Sequence, residues 1–427
     1  MQNKFTPRLI TALLAVAFAG SANAAGFQLL EQNASGLGNS YAGSAAVADN
    51  ASTVFYNPAG MTQLSGLQVS GGLTAVGTSF KYSNEGSSST GALANTGNGG
   101  DGGGWGFIPN GYISWAMTKD LYLGLGIGAP FGLRTEYNDK WVGAAQSTYF
   151  DIKTYNINPS VAYRVNDVVS IGGGLNWQRV EADYRRLVNV TTGSTSPLKL
   201  TLEDDSWGWN IGALFKLTPD TKLGLSYRSK VKYQTTGKIE ISGPAASNSS
   251  DAKADITLPD TFIMSLTQKL SDKWEVLGDV SWTGWSSIPK VDIIRATATR
   301  NAVFAAGTLA QVLDTEFRDT WRVALGANYK LNNEVTLKGG IAYDQTPVKG
   351  ASTRLVSLPD NNRTWFSAGV QWKATKSTTL DIGAAYLYVK DAQIDNNQSA
   401  ASLNRGYIKG NYEDSAWLLG AQVSMAF

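Results

Sequence analysis

Residues 416–427 alternate between two kinds of side chain. Trp417, Leu419, Ala421, Val423, Met425 and Phe427 share one face, and Ala416, Leu418, Gly420, Gln422, Ser424 and Ala426 share the other. A period of two belongs to an extended strand with unlike sides. The pattern recurs at 321–330, where Trp321, Val323, Leu325, Ala327 and Tyr329 oppose Arg322, Ala324, Gly326, Asn328 and Lys330, and again at 336–344 and 380–388. Beyond residue 24 no apolar run reaches the length of a membrane helix. Many of the 13 Trp and 18 Tyr stand near the ends of alternating segments. Aromatic ends around a nearly charge-free face predict strands that cross a bilayer. A soluble β-sandwich or solenoid would also alternate, but it has no need of aromatic girdles. In lipid an open sheet edge leaves backbone groups unsatisfied, so the sheet must close into a barrel.

The strand count follows from the connections. Short turns are expected at 118–120, 166–167, 219–220, 271–273, 332–333 and 376–377. Long polar loops are expected near 81–104, 134–147, 187–203, 238–258, 286–315, 349–362 and 391–413. Seven long loops and six short turns give an all-β, 14-stranded antiparallel transmembrane barrel over residues 65–427. Its last strand should pair with the first, near 67–80. The long loops should face outward and both wall ends should lie on the periplasmic side.

Residues 1–24 read as a cleaved signal peptide. Lys4 and Arg8 supply the positive start, residues 9–20 the apolar core, and Ala22-Asn23-Ala24 the cleavage pattern. Without this segment the formal charge of +2 falls to zero, which argues against a nucleic-acid partner. The sequence has no Cys, which suits an extracytoplasmic location. It has no His, so Ser-His-Asp catalysis and His-based metal sites are excluded. No enzyme chemistry, cofactor or metal is expected.

Residues 25–64 break the alternation and are rich in Gly, Ala, Ser and Asn. They also carry Phe27, Leu29, Leu30, Leu37, Tyr41, Val54, Phe55 and Tyr56, too many apolar groups for a free arm. A 14-stranded lumen is too wide for wall side chains to fill. Residues 25–64 are therefore expected to be an N-terminal hatch that plugs the barrel.

The segment AGFQLLEQNASGLGNSYAGSAAVADNASTVFYNPAGMT resembles the mature start of the FadL-type outer-membrane transporters of Gram-negative bacteria. So do LPDTFIMSLTQKLSDKWEV, FRDTWRVALGANYKL, DQTPV, LPDNNRTWFSAGVQWKATKSTTLDIGAAYLY and the terminal Phe427, in family order. The resemblance covers essentially the whole mature chain. It implies passive uptake of long-chain fatty acids or other hydrophobic compounds, with capture by outer loops, a hatch-lined pocket and lateral exit through a kinked third strand. The implied setting is outer-membrane lipid and lipopolysaccharide, and a monomer is the default. Monoaromatic hydrocarbons are the alternative substrates, and a small-solute porin is a further alternative.

Several residues take expected roles. In LYLGLGIGAPFG, the three small residues Gly124, Gly126 and Gly128 open the inner face. Pro130 removes an amide donor and Gly132 permits unusual angles. Gly128, Pro130 and Gly132 mark the expected kink; the other reading is an ordinary strand whose glycines accommodate the plug. Strand phase places Arg186 and Arg318 inward at the outer ends of their strands. The resemblance aligns both with basic pocket positions, and Arg185 is the fallback if a bulge shifts the register. Wall acids such as Glu181, Asp183 and Glu203 are the competing partners. The resemblance also puts Phe27 beside the ligand and makes Asn57-Pro58-Ala59 the hatch motif, with a structural role. Residues 294–313 permit a short helix that, with Trp141 and Val142, could form a capture groove.

Overall fold

The computed structural model describes residues 26–89, 91–94, 96–191, 194–400 and 403–427. The expected signal peptide lies outside them. Fourteen antiparallel wall strands form a closed barrel. Strands 1 to 7 are Leu67–Asn84, Trp105–Ala116, Leu121–Gly128 continued by Gly132–Glu136, Tyr149–Arg164, Val169–Thr191, Ser194–Thr218, and Thr221–Arg228 continued by Val231–Ile241. Strands 8 to 10 are each broken once: Ser250–Leu258 and Thr261–Lys269, Trp274–Thr283 and Lys290–Arg295, Leu309–Asp314 and Thr320–Lys330. Strands 11 to 14 are Val335–Asp344, Arg363–Lys373, Thr378–Val389 continued by Ala392–Gln398, and Gly406–Ala426. Closure joins strand 14 to strand 1, from the Gln68–Ala426 pair to Asn84–Gly410.

The period of two sets the faces. Trp321, Val323, Leu325, Trp417 and Leu419 are exposed outward, while Arg322, Ala324, Leu418 and Gln422 are buried within. The six expected short turns lie between consecutive strands. The outer connections are shorter than the sequence suggests. Much of 187–203, 238–258 and 391–413 is strand, because hairpins continue their ladders beyond the apolar band with polar outer faces. Residues 294–313 form no helix: strands run to Arg295 and from Leu309, joined by bends in which Val303 and Phe304 are exposed. Trp141 and Val142 are buried in a separate cluster with Tyr82 and Tyr137 and line no exposed groove.

Residues 26–64 precede the wall and fill the lumen with three short helices, Leu37–Asn39, Thr53–Tyr56 and Pro58–Gln63. Small wall residues admit them: a Cβ at Gly340 would overlap the backbone of Asn39. Polar anchors complete the fit. Lys338 donates to Ser35 O and Asp381 Oδ1, both at 2.8 Å. Arg322 donates to Ser40 O at 2.6 Å. Buried polar groups need such partners, because losing water without replacement costs more than the bond itself contributes.

Candidate functional site: hatch, broken third strand and apolar cavity

The third strand is interrupted. It stops at Gly128 and resumes at Gly132. Gly128 faces Asn156 and Gly132 faces Lys153, so Ala129, Pro130 and Phe131 stand opposite only Thr154 and Tyr155. One extra residue makes a bulge, which bends the strand away from its neighbour. Thr154 ties the bulge down, accepting from Phe131 N at 2.9 Å through its hydroxyl.

The break opens one seam. Strand 2 pairs with strand 3 only from Gly111–Ile127 to Ala116–Tyr122. Trp105 to Asn110 are paired to strand 1 alone. Further out, Glu136 N donates to Gly102 O at 2.9 Å and closes the seam again. The result is a window between strands 2 and 3, with Ile108 buried on its inner side and Phe107 exposed to the membrane. Pro109 sits on this edge, where a missing donor is tolerated. Pro109 is thus a mark of the edge in the sequence itself, apart from the expected kink residues of strand 3.

The hatch takes up the displaced backbone. Leu29 N donates to Pro130 O and Gly132 N donates to Phe27 O, each at 2.8 Å. The Gln32 amide brackets Ala129, donating to its carbonyl at 2.8 Å and accepting from its N–H at 3.1 Å. Gly128 leaves room for Gln32, since a Cβ there would overlap the amide oxygen. The inward glycines thus serve both readings of this strand, accommodating the plug and flanking the kink.

Phe27 is buried at the centre of an aromatic cluster. Its ring meets Trp285 edge-on at 4.8 Å and Phe131 at 6.0 Å, and Trp285 meets Phe317 at 5.8 Å. Phe131, Trp285 and Phe317 all come from strand interruptions, in strands 3, 9 and 10. Gly26 N donates to Asp360 Oδ2 at 3.0 Å and fixes the start of the segment. Gln28 bridges Thr261 and Thr283 with two bonds of 2.9 Å.

Beyond Phe27 lies an apolar cavity of about 70 Å³, lined among others by Ile152, Tyr184, Leu200, Ile256 and Phe317. A larger concavity of about 560 Å³ faces outward between Ile171, Ile211, Tyr227 and Phe262. Its exposed Ile171 and Ile211 place it on the lipid side of the wall, away from the hatch.

Arg186 takes the expected phase. It follows the cavity residue Tyr184 by two positions and donates from Nε to Gln311 Oε1 at 3.1 Å. The competing acids are engaged elsewhere. Arg179 holds Glu181 and Glu203 at 3.1 and 2.6 Å, and Arg185 holds Asp183 at 2.7 Å. Arg185 is exposed, so the fallback register does not apply. Arg318 departs from the expected orientation: it is exposed, and Phe317 enters the cavity instead. The irregular stretch between Asp314 and Thr320 shifts the phase inherited from Arg322 by one residue.

Asn57-Pro58-Ala59 is fully buried or nearly so. The Asn57 amide donates to Ala45 O at 2.7 Å and to Ala213 O of strand 6 at 2.9 Å, and it accepts from Ala59 N at 3.1 Å. Pro58 opens the helix that follows, where its missing N–H leaves nothing unpaired. The motif sets the hatch turn and fastens it to the wall.

A closed barrel, a hatch tied to a broken strand and an apolar interior define an outer-membrane transporter of hydrophobic compounds. The chain belongs to the family described as outer membrane protein transport protein (OMPP1/FadL/TodX), whose sequence profile matches residues 15–427. It is 31% identical to outer membrane protein P1 of Haemophilus influenzae, over 99% of this chain and 100% of the relative. It is 29% identical to the long-chain fatty acid transport protein of Escherichia coli K12, over 94% of each chain. Among solved structures, a Pseudomonas aeruginosa FadL homologue superposes with a TM-score of 0.86 at 21% identity, covering 94% of this chain and 100% of that one. The Pseudomonas putida toluene transporter TodX superposes with a TM-score of 0.69 at 15% identity, covering 92% and 98%. These two likenesses concern the fold. The chain is thus a passive transporter in the outer membrane of a Gram-negative bacterium and not an enzyme.

Proposed function

We propose that the chain transports long-chain fatty acids in preference to neutral hydrocarbons. The observation that carries this reading is Arg186: a guanidinium two positions beyond the cavity-lining Tyr184, while the competing acids Glu181, Asp183 and Glu203 are held by Arg179 and Arg185. A half-buried cation without an acid partner among the described residues favours a ligand that brings a carboxylate. The tail then occupies the apolar lining, where burial contributes about 25 cal/mol per Å².

In this reading the cavity must enlarge before anything is carried. Its about 70 Å³ is less than half of the about 150 Å³ that holds a benzene in an engineered cavity. Phe27 is the movable wall. Displacing its ring also disturbs the backbone bond from Gly132 to Phe27 and so loosens the bulge. The tail then passes through the window between strands 2 and 3 into the bilayer. The similar proteins include a long-chain fatty acid transport protein and a toluene transporter, so the substrate is tested directly. Cells bearing the protein should take up oleate faster than cells lacking it, and purified protein should bind oleate more tightly than toluene. Binding of toluene alone would move the substrate to hydrocarbons and leave Arg186 as wall structure.

A further inference from the structure

The wall ladder is broken a second time, on the side that carries Trp285. Strands 8 and 9 pair without interruption from Lys269–Glu275 to Thr261–Thr283. They pair again at Lys253–Ile294 and Ala252–Arg295. In between, residues 254–258 have ladder partners in strand 7 alone and residues 290–293 in strand 10 alone. Pro259 and Pro289 stand in the two interruptions, each removing a backbone donor. Gly284 N donates to Asp260 O at 3.0 Å at the base of this fork, and the Ser287 hydroxyl spans it to Thr257 O at 3.0 Å.

The fork borders the cavity. Ile256 on one side and Ile288, Val291 and Ile293 on the other line it. Trp285, in the short turn between the halves of strand 9, closes the base against Phe27. On the outside Lys253, Asp255 and Lys290 are exposed. One step below the fork, Phe262, Trp282 and Trp321 stand side by side in the ladder on the lipid face. Such a row marks the membrane interface, so the fork lies at head-group level, just outside the apolar band. The hatch grips the same fork. Gln28 holds Thr261 and Thr283, the last pair before it opens, and the adjoining Phe27 and Leu29 bond strand 3 at Gly132 and Pro130. Three consecutive hatch residues thus tie the fork to the break in strand 3.

We propose that the fork between strands 8 and 9 is an entry port: a hydrophobic compound at the polar surface of the outer membrane passes between these strands into the cavity. It leaves through the window between strands 2 and 3, beside the membrane-exposed Phe107. The two openings carry it past the head-group layer into the apolar band. An amphiphile at the fork keeps its head in water at the polar rim while its tail enters, so capture requires no desolvation of the head. The expected groove of residues 294–313 with Trp141 and Val142 is not formed, and the fork supplies a path that does without it. This rests on the cavity as the transport pocket and not on the choice of fatty acid over hydrocarbon.

The chain has no Cys, so a T257C/S287C protein carries a single pair of thiols, one on each side of the fork. In cells the pair is bridged by a short bifunctional methanethiosulfonate, which dithiothreitol removes, and mass spectrometry reports the extent of bridging. Oleate uptake should fall to the background of cells lacking the protein and return on reduction. The bridged protein in detergent should still bind oleate with wild-type affinity, because the window between strands 2 and 3 stays open. The same bridge at T201C/K238C, on the continuous ladder between strands 6 and 7, should leave uptake unchanged. Uptake that persists in bridged T257C/S287C cells, or that falls equally with both bridges, would overturn the proposal. Cells that take up toluene and not oleate would overturn the fatty-acid reading alone. The bridge is then read on toluene, whose uptake should fall if the fork is the port and whose persistence would overturn it.

Discussion

The amide of Gly132 donates to the carbonyl of Phe27 at 2.8 Å, so a wall strand completes its hydrogen bonding on the hatch and not on strand 2. The same two residues face the two ends of the problem. Phe27 closes the cavity, and Gly132 restarts the strand beyond the window. Any motion of the ring that drags its backbone therefore acts on the seam.

The bulge sets the window. Deleting Ala129 would place two residues opposite two and restore a continuous ladder across strands 2, 3 and 4. The expected outcome is a folded barrel that still binds oleate while its uptake falls to the background of cells lacking the protein. Uptake that persists would place the exit elsewhere.

Phe27→Ala removes the centre of the aromatic cluster. Large-to-small changes at buried Phe cost about 3–5 kcal/mol, and here the loss falls on hatch docking and not on the barrel ladder. Amide hydrogen exchange at residues 26–33 should accelerate, with the strand amides unchanged.

Arg186→Gln removes one charge-assisted contact to a carboxylate. Oleate affinity should fall by about tenfold, and toluene affinity should not change. A parallel fall in both would indicate damage to the cavity.

Glu31 gives the hatch a pH dependence. It is fully buried, and neither carboxylate oxygen has a hydrogen-bond partner among the described residues. Burial pushes its carboxyl up to about 7, with Asp344 adding to the rise while its own backbone amide, Arg363 and Arg322 oppose it. The docked hatch thus holds the proton more tightly than a solvated one. Docking is at full strength below the ordinary value of 4.5 and weakens as pH rises through about 7, by roughly 3 kcal/mol in all. Exchange at residues 26–33, corrected for its intrinsic pH dependence, should rise from pH 5 to pH 8. Glu31→Gln should flatten that rise.

Lys338 and Asp381 form a buried pair at 2.8 Å, with side chains 6% and 2% exposed. Removing one partner strands the other, at about 3–5 kcal/mol. Lys338→Met should therefore weaken hatch docking more than the double change K338M/D381N, as read by protease access to residues 26–64.

The sequence by itself determined the wall and the stopper. Period-two faces at Trp321–Tyr329 and Trp417–Phe427 are local properties of a strand between lipid and lumen, and Pro130 with Gly132 marked the break because each alters its own backbone. Tertiary structure decided what depends on partners. Phase fails across an irregular stretch, which is why Phe317 and not Arg318 enters the cavity. The window needs strand 2 as well as strand 3, and pairing between them is not written in either. Hairpins such as residues 187–203 keep polar outer faces and bury Leu198, Leu200 and Leu202 inside, so they lack the lipid-facing apolar band that marks the wall strands. Glu31, Lys338 and Asp381 look like ordinary surface charges in one dimension. Their burial and their company come from closing the barrel around the hatch, which brings residues hundreds of positions apart into one water-poor space.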